Sequence, residues 1–243
     1  LHDEPACGIP THPAQGLISI NRAGLRGRTM APVFQPESSM KRITALAVAL
    51  VASGIPLANA QQAGDWQVKF GVHVVDPKSG NGSLADGTLK ADVGNGVSPT
   101  ITAEYYVTPT FGIELLAALP FSHDVELNGT KALSAKQLPP TLSAQWHFPT
   151  ASRVDPFVGV GINYTRFFSV DETGPLDGTR VNLSESWGPA LHAGFDYAFD
   201  ERWSLTADVR WVSISTDVKV DGAKVGTVDI DPLVYGLAVG YRF

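Results

Sequence analysis

The sequence predicts an all-β protein, an eight-stranded antiparallel transmembrane β-barrel. Three observations predict it. The chain ends on a strict alternation, with Leu233, Tyr235, Leu237, Val239, Tyr241 and Phe243 on one face and Val234, Gly236, Ala238, Gly240 and Arg242 on the other. Successive strand residues point to opposite faces, so this strand has one oily face and one compact face. The same period recurs in seven segments upstream. The connections between them alternate short and long, as periplasmic turns and external loops do in outer-membrane barrels.

The first strand sets Trp66, Val68, Phe70, Val72 and Val74 against Gln67, Lys69, Gly71 and His73. The second sets Ile101, Ala103, Tyr105 and Val107 against Thr100, Thr102, Glu104 and Tyr106. Thr108-Pro109-Thr110 turns the chain into the third, with Phe111, Ile113, Leu115, Ala117 and Leu119 against Gly112, Glu114, Leu116 and Ala118. The fourth carries Leu142, Ala144, Trp146 and Phe148 against Thr141, Ser143, Gln145 and His147. The fifth carries Val158, Val160, Ile162 and Tyr164 against Gly159, Gly161, Asn163 and Thr165. The sixth pairs Leu191, Ala193, Phe195 and Tyr197 with His192, Gly194 and Asp196, and the seventh pairs Trp203, Leu205, Ala207, Val209 and Trp211 with Ser204, Thr206, Asp208 and Arg210. Pro189 and Pro232 lack an N–H, so bulges or strand starts are expected there.

Short connections fall at 108–110, 149–155 and around Asp200-Glu201, and long ones, rich in Gly, Asp, Ser and Lys, at about 76–96, 122–137, 169–185 and 216–227. The long segments read as external loops. Aromatics gather at strand ends, where membrane interfaces favour them. A soluble sandwich or lipocalin-like barrel also alternates. Its polar face would carry long solubilising side chains, whereas the compact face here is rich in glycine.

Ahead of the strands, Met40-Lys41-Arg42, an apolar run over 43–57 and Ala58-Asn59-Ala60 form a secretory signal peptide over residues 40–60, with cleavage near Ala60. Residues 1–39, rich in Pro, Gly and Arg, are expected to be a disordered upstream segment from a misassigned start. The barrel would occupy 61–243. That part carries 13 Lys/Arg against 21 Asp/Glu, a net charge of −8, and no basic patch suited to nucleic acid. The one cysteine, Cys7, lies upstream, so no disulfide or thiol chemistry is expected in the barrel.

Several stretches form a recognisable series. They are Glu114-Leu115-Leu116-Ala117-Ala118 with Pro120-Phe121 and His123, then Leu138-Pro139-Pro140-Thr141-Leu142 with Ala144-Gln145-Trp146. Gly161-Ile162-Asn163-Tyr164-Thr165 with Phe167-Phe168, Ser186-Trp187-Gly188 with Asp196-Tyr197, Asp231-Pro232 and Gly240-Tyr241-Arg242-Phe243 follow. In content and order this series resembles the outer membrane protein W (OmpW) family. The resemblance implies a narrow, largely apolar interior and passage of small hydrophobic molecules, with a related branch linked to alkane uptake. The terminal Phe243 strand likewise looks like the signal that such barrels present to the barrel-assembly machinery.

Eight strands enclose an interior that side chains nearly fill, which excludes a porin-width pore. The expected function is a narrow channel for small hydrophobic or amphipathic solutes, with sideways release where Pro139, Pro140 and Pro189 weaken the wall. The alternative is that these prolines only end strands. Leu116 is the expected apolar constriction, with Arg210 and its neighbour His192 at the same level. Arg210 puts a wholly apolar lumen in doubt and has Asp208 or Asp196 as potential partners. Lys69, Glu104, Glu114 and Arg242 are expected to share a layer near the periplasm, where the two cations neutralise the two carboxylates and close the floor. A purely structural network is the plainer account of the same residues.

The other function classes fit less well. His73, His123, His147 and His192 sit in no compact Ser/His/acid motif, so no catalytic residue and no enzyme activity are expected. No metal or cofactor is expected, since Asp171, Glu172 and Asp177 lack EF-hand spacing. A surface-exposed structural, adhesion or receptor barrel remains the alternative. The expected partners are outer-membrane lipid, the assembly machinery and a small hydrophobic solute.

Overall fold

The computed structural model describes residues 61–243. The signal peptide expected at 40–60 and the upstream segment expected at 1–39 lie outside the described residues. The described residues form β1 (Trp66–Asp76), β2 (Ser83–Leu84), β3 (Leu89–Val93), β4 (Gly96–Thr108), β5 (Phe111–Ala118), β6 (Phe121–Leu127), β7 (Thr130–Leu138) and β8 (Thr141–His147). They continue with β9 (Val154–Glu172), β10 (Val181–Leu183), β11 (Ser186–Ala198), β12 (Trp203–Val212), β13 (Ser215–Val220), β14 (Ala223–Asp229) and β15 (Leu233–Arg242).

The strands β1, β4, β5, β8, β9, β11, β12 and β15 close into an antiparallel barrel, because β15 pairs with both β12 and β1. The closing seam runs to the chain's last residue, where Phe243 N–H donates to Trp66 O at 2.9 Å. Closure leaves no unpaired edge, the condition for spanning lipid with strands. Phe70, Val160, Phe195 and Leu237 all face outward and are exposed, while Gln67, Lys69, Glu104 and Gln145 are buried. Aromatic pairs ring the short-turn end: Trp66–Tyr105 at 5.1 Å, Phe111–Trp146 at 4.7 Å and Trp203–Tyr241 at 4.9 Å between ring centroids.

Two expectations need correction. The long segments are not open loops. The ladders of β2, β3, β6, β7, β10, β13 and β14 join the end of β9 into a strand-built extension above the barrel. Two of its hairpins turn on Asn128-Gly129 (φ 51° and 76°) and Asp221-Gly222 (φ 50° and 86°). Positive φ at both central positions is the type I′ geometry that matches strand twist. Pro189 makes neither a bulge nor a strand start. It sits inside β11 in register with Ile162, where the β12 ladder ends, and its carbonyl accepts from Ser213 N–H at 3.0 Å. A missing N–H at a ladder end removes little. Pro232 does directly precede β15.

Candidate functional site

The inward face changes character with height. On β12 it reads Ser204, Thr206, Asp208, Arg210 and then Val212, and it continues through Ile214 into β13 with Thr216, Val218 and Val220. β1 reads Gln67, Lys69 and His73 before ending on Val75. The lower interior is therefore polar, and the upper interior is apolar.

The polar part is a connected network. Lys69 Nζ lies 3.4 Å from both Glu104 and Asp196. His147 is bonded through Nε2 to Glu104 and through Nδ1 to Asp155, each at 2.8 Å. Gln145 Nε2 donates to both Glu104 oxygens at 3.1 Å, and its Oε1 accepts from His192 Nε2 at 2.9 Å. Gln61 reaches Asp155 from below. His147, Asp155 and Asp196 bring ligand-type atoms within 4.8 Å of one another. Lys69, Thr206 and Glu104 already engage that trio, so it reads as part of the ion-pair network.

One level higher, Arg210 donates from Nη1 to Glu114 at 2.7 Å and from Nε to Asp208 at 2.6 Å. Asp208 also holds His73 at 3.0 Å. Glu104 and Glu114 do face each other across the β4–β5 ladder. The expected neutralisation differs in its partners. Lys69 takes Glu104, but the cation on Glu114 is Arg210, while Arg242 lies over the Tyr106 ring at 5.9 Å. Register explains this, since Arg210 pairs with His192 and Val234 at mid-barrel, within reach of Glu114 across the lumen.

Above Leu116 and Arg210 the interior opens. A small cavity of about 20 Å³ is lined by both residues and by Val212, Val234, Pro139 and Gln137. Over it, inside the extension, lies an apolar chamber of about 250 Å³ walled by Leu84, Leu133, Phe167, Val218, Val228 and Ile230 among others. Gln137 lines both spaces. The wall beside the small cavity is interrupted. The β5–β8 ladder stops at Leu116↔Thr141, and pairing resumes only at Phe121↔Gln137 between β6 and β7. Pro120, Pro139 and Pro140 occupy the gap, and Leu119 and Leu142 beside it are exposed on the outer face. The proline carbonyls are held from the other side, where Asn163 Nδ2 donates to Pro139 O at 3.0 Å and to Pro140 O at 3.2 Å. Tyr164 N–H also donates to Pro140 O, at 3.0 Å.

Residues 62–243 match the protein-family model described as the OmpW family. The chain belongs to the OmpW family. Outer membrane protein W of Salmonella typhi is 37% identical over 212 residues, covering 84% of this chain and all of that protein. The crystal structure of outer membrane protein OprG from Pseudomonas aeruginosa superposes with a TM-score of 0.69 at 33% identity, covering 76% of this chain and 98% of that one. The solid-state NMR structure of outer membrane protein AlkL in DMPC bilayers gives a TM-score of 0.58 at 26% identity, over 79% of this chain and 96% of that one. This OmpW-family chain is thus an outer-membrane barrel set in lipid. Its interior corrects one implication of the resemblance, because the lumen is apolar only above Leu116, and the membrane-level part is polar and charged.

The chamber has a titratable group outside the spanning strands. Burial pushes the His123 imidazole below its ordinary value of 6.5, against the opposing pull of Gly94 O and Asp124. A folded-state value below the unfolded one gives stability that is complete above pH 6.5 and lost as pH falls below it. Amide exchange in β6 and β7, corrected for intrinsic rates, should therefore show weaker protection at pH 5 than at pH 7.5. His123→Phe should remove that difference.

Proposed function

We propose that this OmpW-family barrel takes small hydrophobic or amphipathic molecules into the apolar chamber and releases them sideways into the membrane. The observation that carries the reading is the placement of the chamber above a charged floor, with the small cavity and its interrupted wall between them. An apolar solute descending through the floor would have to displace paired buried charges, at several kcal/mol per ion. The gap between Leu116↔Thr141 and Phe121↔Gln137 offers a path with no ladder hydrogen bonds to break. Leu116 and Arg210 mark the level at which the solute turns, and His192 helps to brace Arg210 from the neighbouring strand, 3.4 Å away. Lys69 and Glu104 serve as the plug below, and Arg242 lies at its lower end. Export would use the signal peptide ending near Ala60, and the exposed Phe243 strand would be presented to the assembly machinery.

The test is the rate at which a fluorescent naphthalene derivative reaches the inner leaflets of cells. Cells with the protein should take it up faster than cells without it. Pro139→Thr with Pro140→Val restores two N–H donors and lets the ladder close. It should slow uptake by about fivefold, the effect of one or two added hydrogen bonds, while binding in the chamber persists. Equal uptake with and without the protein would reject the proposal.

A further inference from the structure

The chamber's accessible wall is apolar, and Gln137 lies behind it at the boundary with the small cavity. Gln137 is 1% exposed, and its Oε1 has no hydrogen-bond partner. Its orientation is dictated from a distance. Gly94 O can only accept, so His123 Nδ1, 2.7 Å away, must carry the proton. His123 Nε2 is then an acceptor, and Gln137 Nε2 donates to it at 2.9 Å. That fixes the amide and leaves its carbonyl oxygen as the free end of the chain.

Native proteins rarely leave such an acceptor unmet, and each exception calls for a partner. The chamber's other polar groups are already engaged. Thr216 donates to Ser184 O at 2.8 Å, and both His123 nitrogens are used. Among the described side chains that line either cavity, Gln137 alone keeps an unpartnered buried polar atom. It also stands where a solute would pass from the chamber to the wall gap.

We propose that Gln137 selects, among small hydrophobic solutes, those carrying one neutral hydrogen-bond donor: an alcohol, a phenol or an indole-type N–H. Hydrocarbons of the same shape leave the carbonyl unmet. Carboxylates, which only accept, are disfavoured by it. A cavity of about 150 Å³ accommodates benzene, so the 250 Å³ chamber suits a two-ring molecule. The inference rests on the reading of the chamber as a solute pocket.

The experiment compares 1-naphthol with naphthalene on the full-length protein in lipid nanodiscs, with partition into empty nanodiscs subtracted. Naphthol should bind about tenfold more tightly, the gain from one buried hydrogen bond. Gln137→Met should remove the preference and leave naphthalene binding within about twofold. In wild-type protein the Gln137 side-chain ¹⁵N resonance should shift with naphthol and stay in place with naphthalene, a readout that stands even if the variant fails to fold. Equal binding of the two probes, as when a water already serves Oε1, overturns the selection but leaves the solute pocket intact. A preference that survives in Gln137→Met also overturns it. Failure of both probes to bind above empty nanodiscs overturns the pocket itself, and the selection with it.

Discussion

Lys69→Met should destabilise the barrel by about 3–5 kcal/mol, the cost of leaving a buried charge without its partner. Lys69 is 2% exposed and is shared between Glu104 and Asp196. Those carboxylates are themselves buried, so solvent cannot replace the ammonium. Its loss brings two negative charges into mutual repulsion beside Asp155 and leaves His147 as the nearest compensating group. Unfolding in urea from lipid vesicles, followed by tryptophan fluorescence, should show the lowered midpoint. Adding Asp196→Asn to Lys69→Met removes one stranded charge and should recover part of the loss, since contacting residues couple strongly. A single variant as stable as the wild type would mean that the network is wet and loosely held, and the floor would lose its claim to be a plug.

Val218→Asp should abolish solute uptake while the barrel still assembles. Val218 lies on β13 in the chamber wall and is 4% exposed. A carboxylate there must either bring water with it or stay unsolvated. Either outcome replaces an oily surface with one that repels a hydrocarbon, and affinity should fall by about 100-fold or more. Val218 belongs to the extension, so the eight spanning strands keep their pairing and the protein should retain its folded mobility on gels. Val218→Ala keeps the wall apolar and should keep most of the uptake. Transport that survives Val218→Asp would place the solute path outside the chamber.

Much of this was legible from residue order because a strand's two faces are read two residues apart. The outward exposure of Leu237, Val160 and Phe195 and the enclosure of Glu104 follow from alternation together with a compact face too rich in glycine to meet water. The extension was harder to read, since its polarity is inverted. Phe121, Val125 and Leu127 face inward, while Ser122, Asp124 and Glu126 face out. A rule of apolar outside and polar inside holds only where lipid is the solvent. Signals for these hairpins were nonetheless present in Asn128-Gly129 and Asp221-Gly222, dipeptides that favour a two-residue hairpin turn. Gln137 carried no signal of its own. Its importance comes from His123 on the neighbouring strand and from a backbone carbonyl at Gly94.

By itself the sequence determined the number of spanning strands, which face of each meets lipid, and which charges are enclosed. These are local matters, set by the two-residue period of the backbone and by the composition of the two faces it separates. Only the tertiary structure decided that Arg210 and not Arg242 answers Glu114, that the wall opens between Leu116 and Phe121, and that an apolar chamber stands over a charged floor. Each of those depends on how strands far apart in the chain are staggered as the barrel closes, and stagger is fixed by the ladder pairings that closure selects.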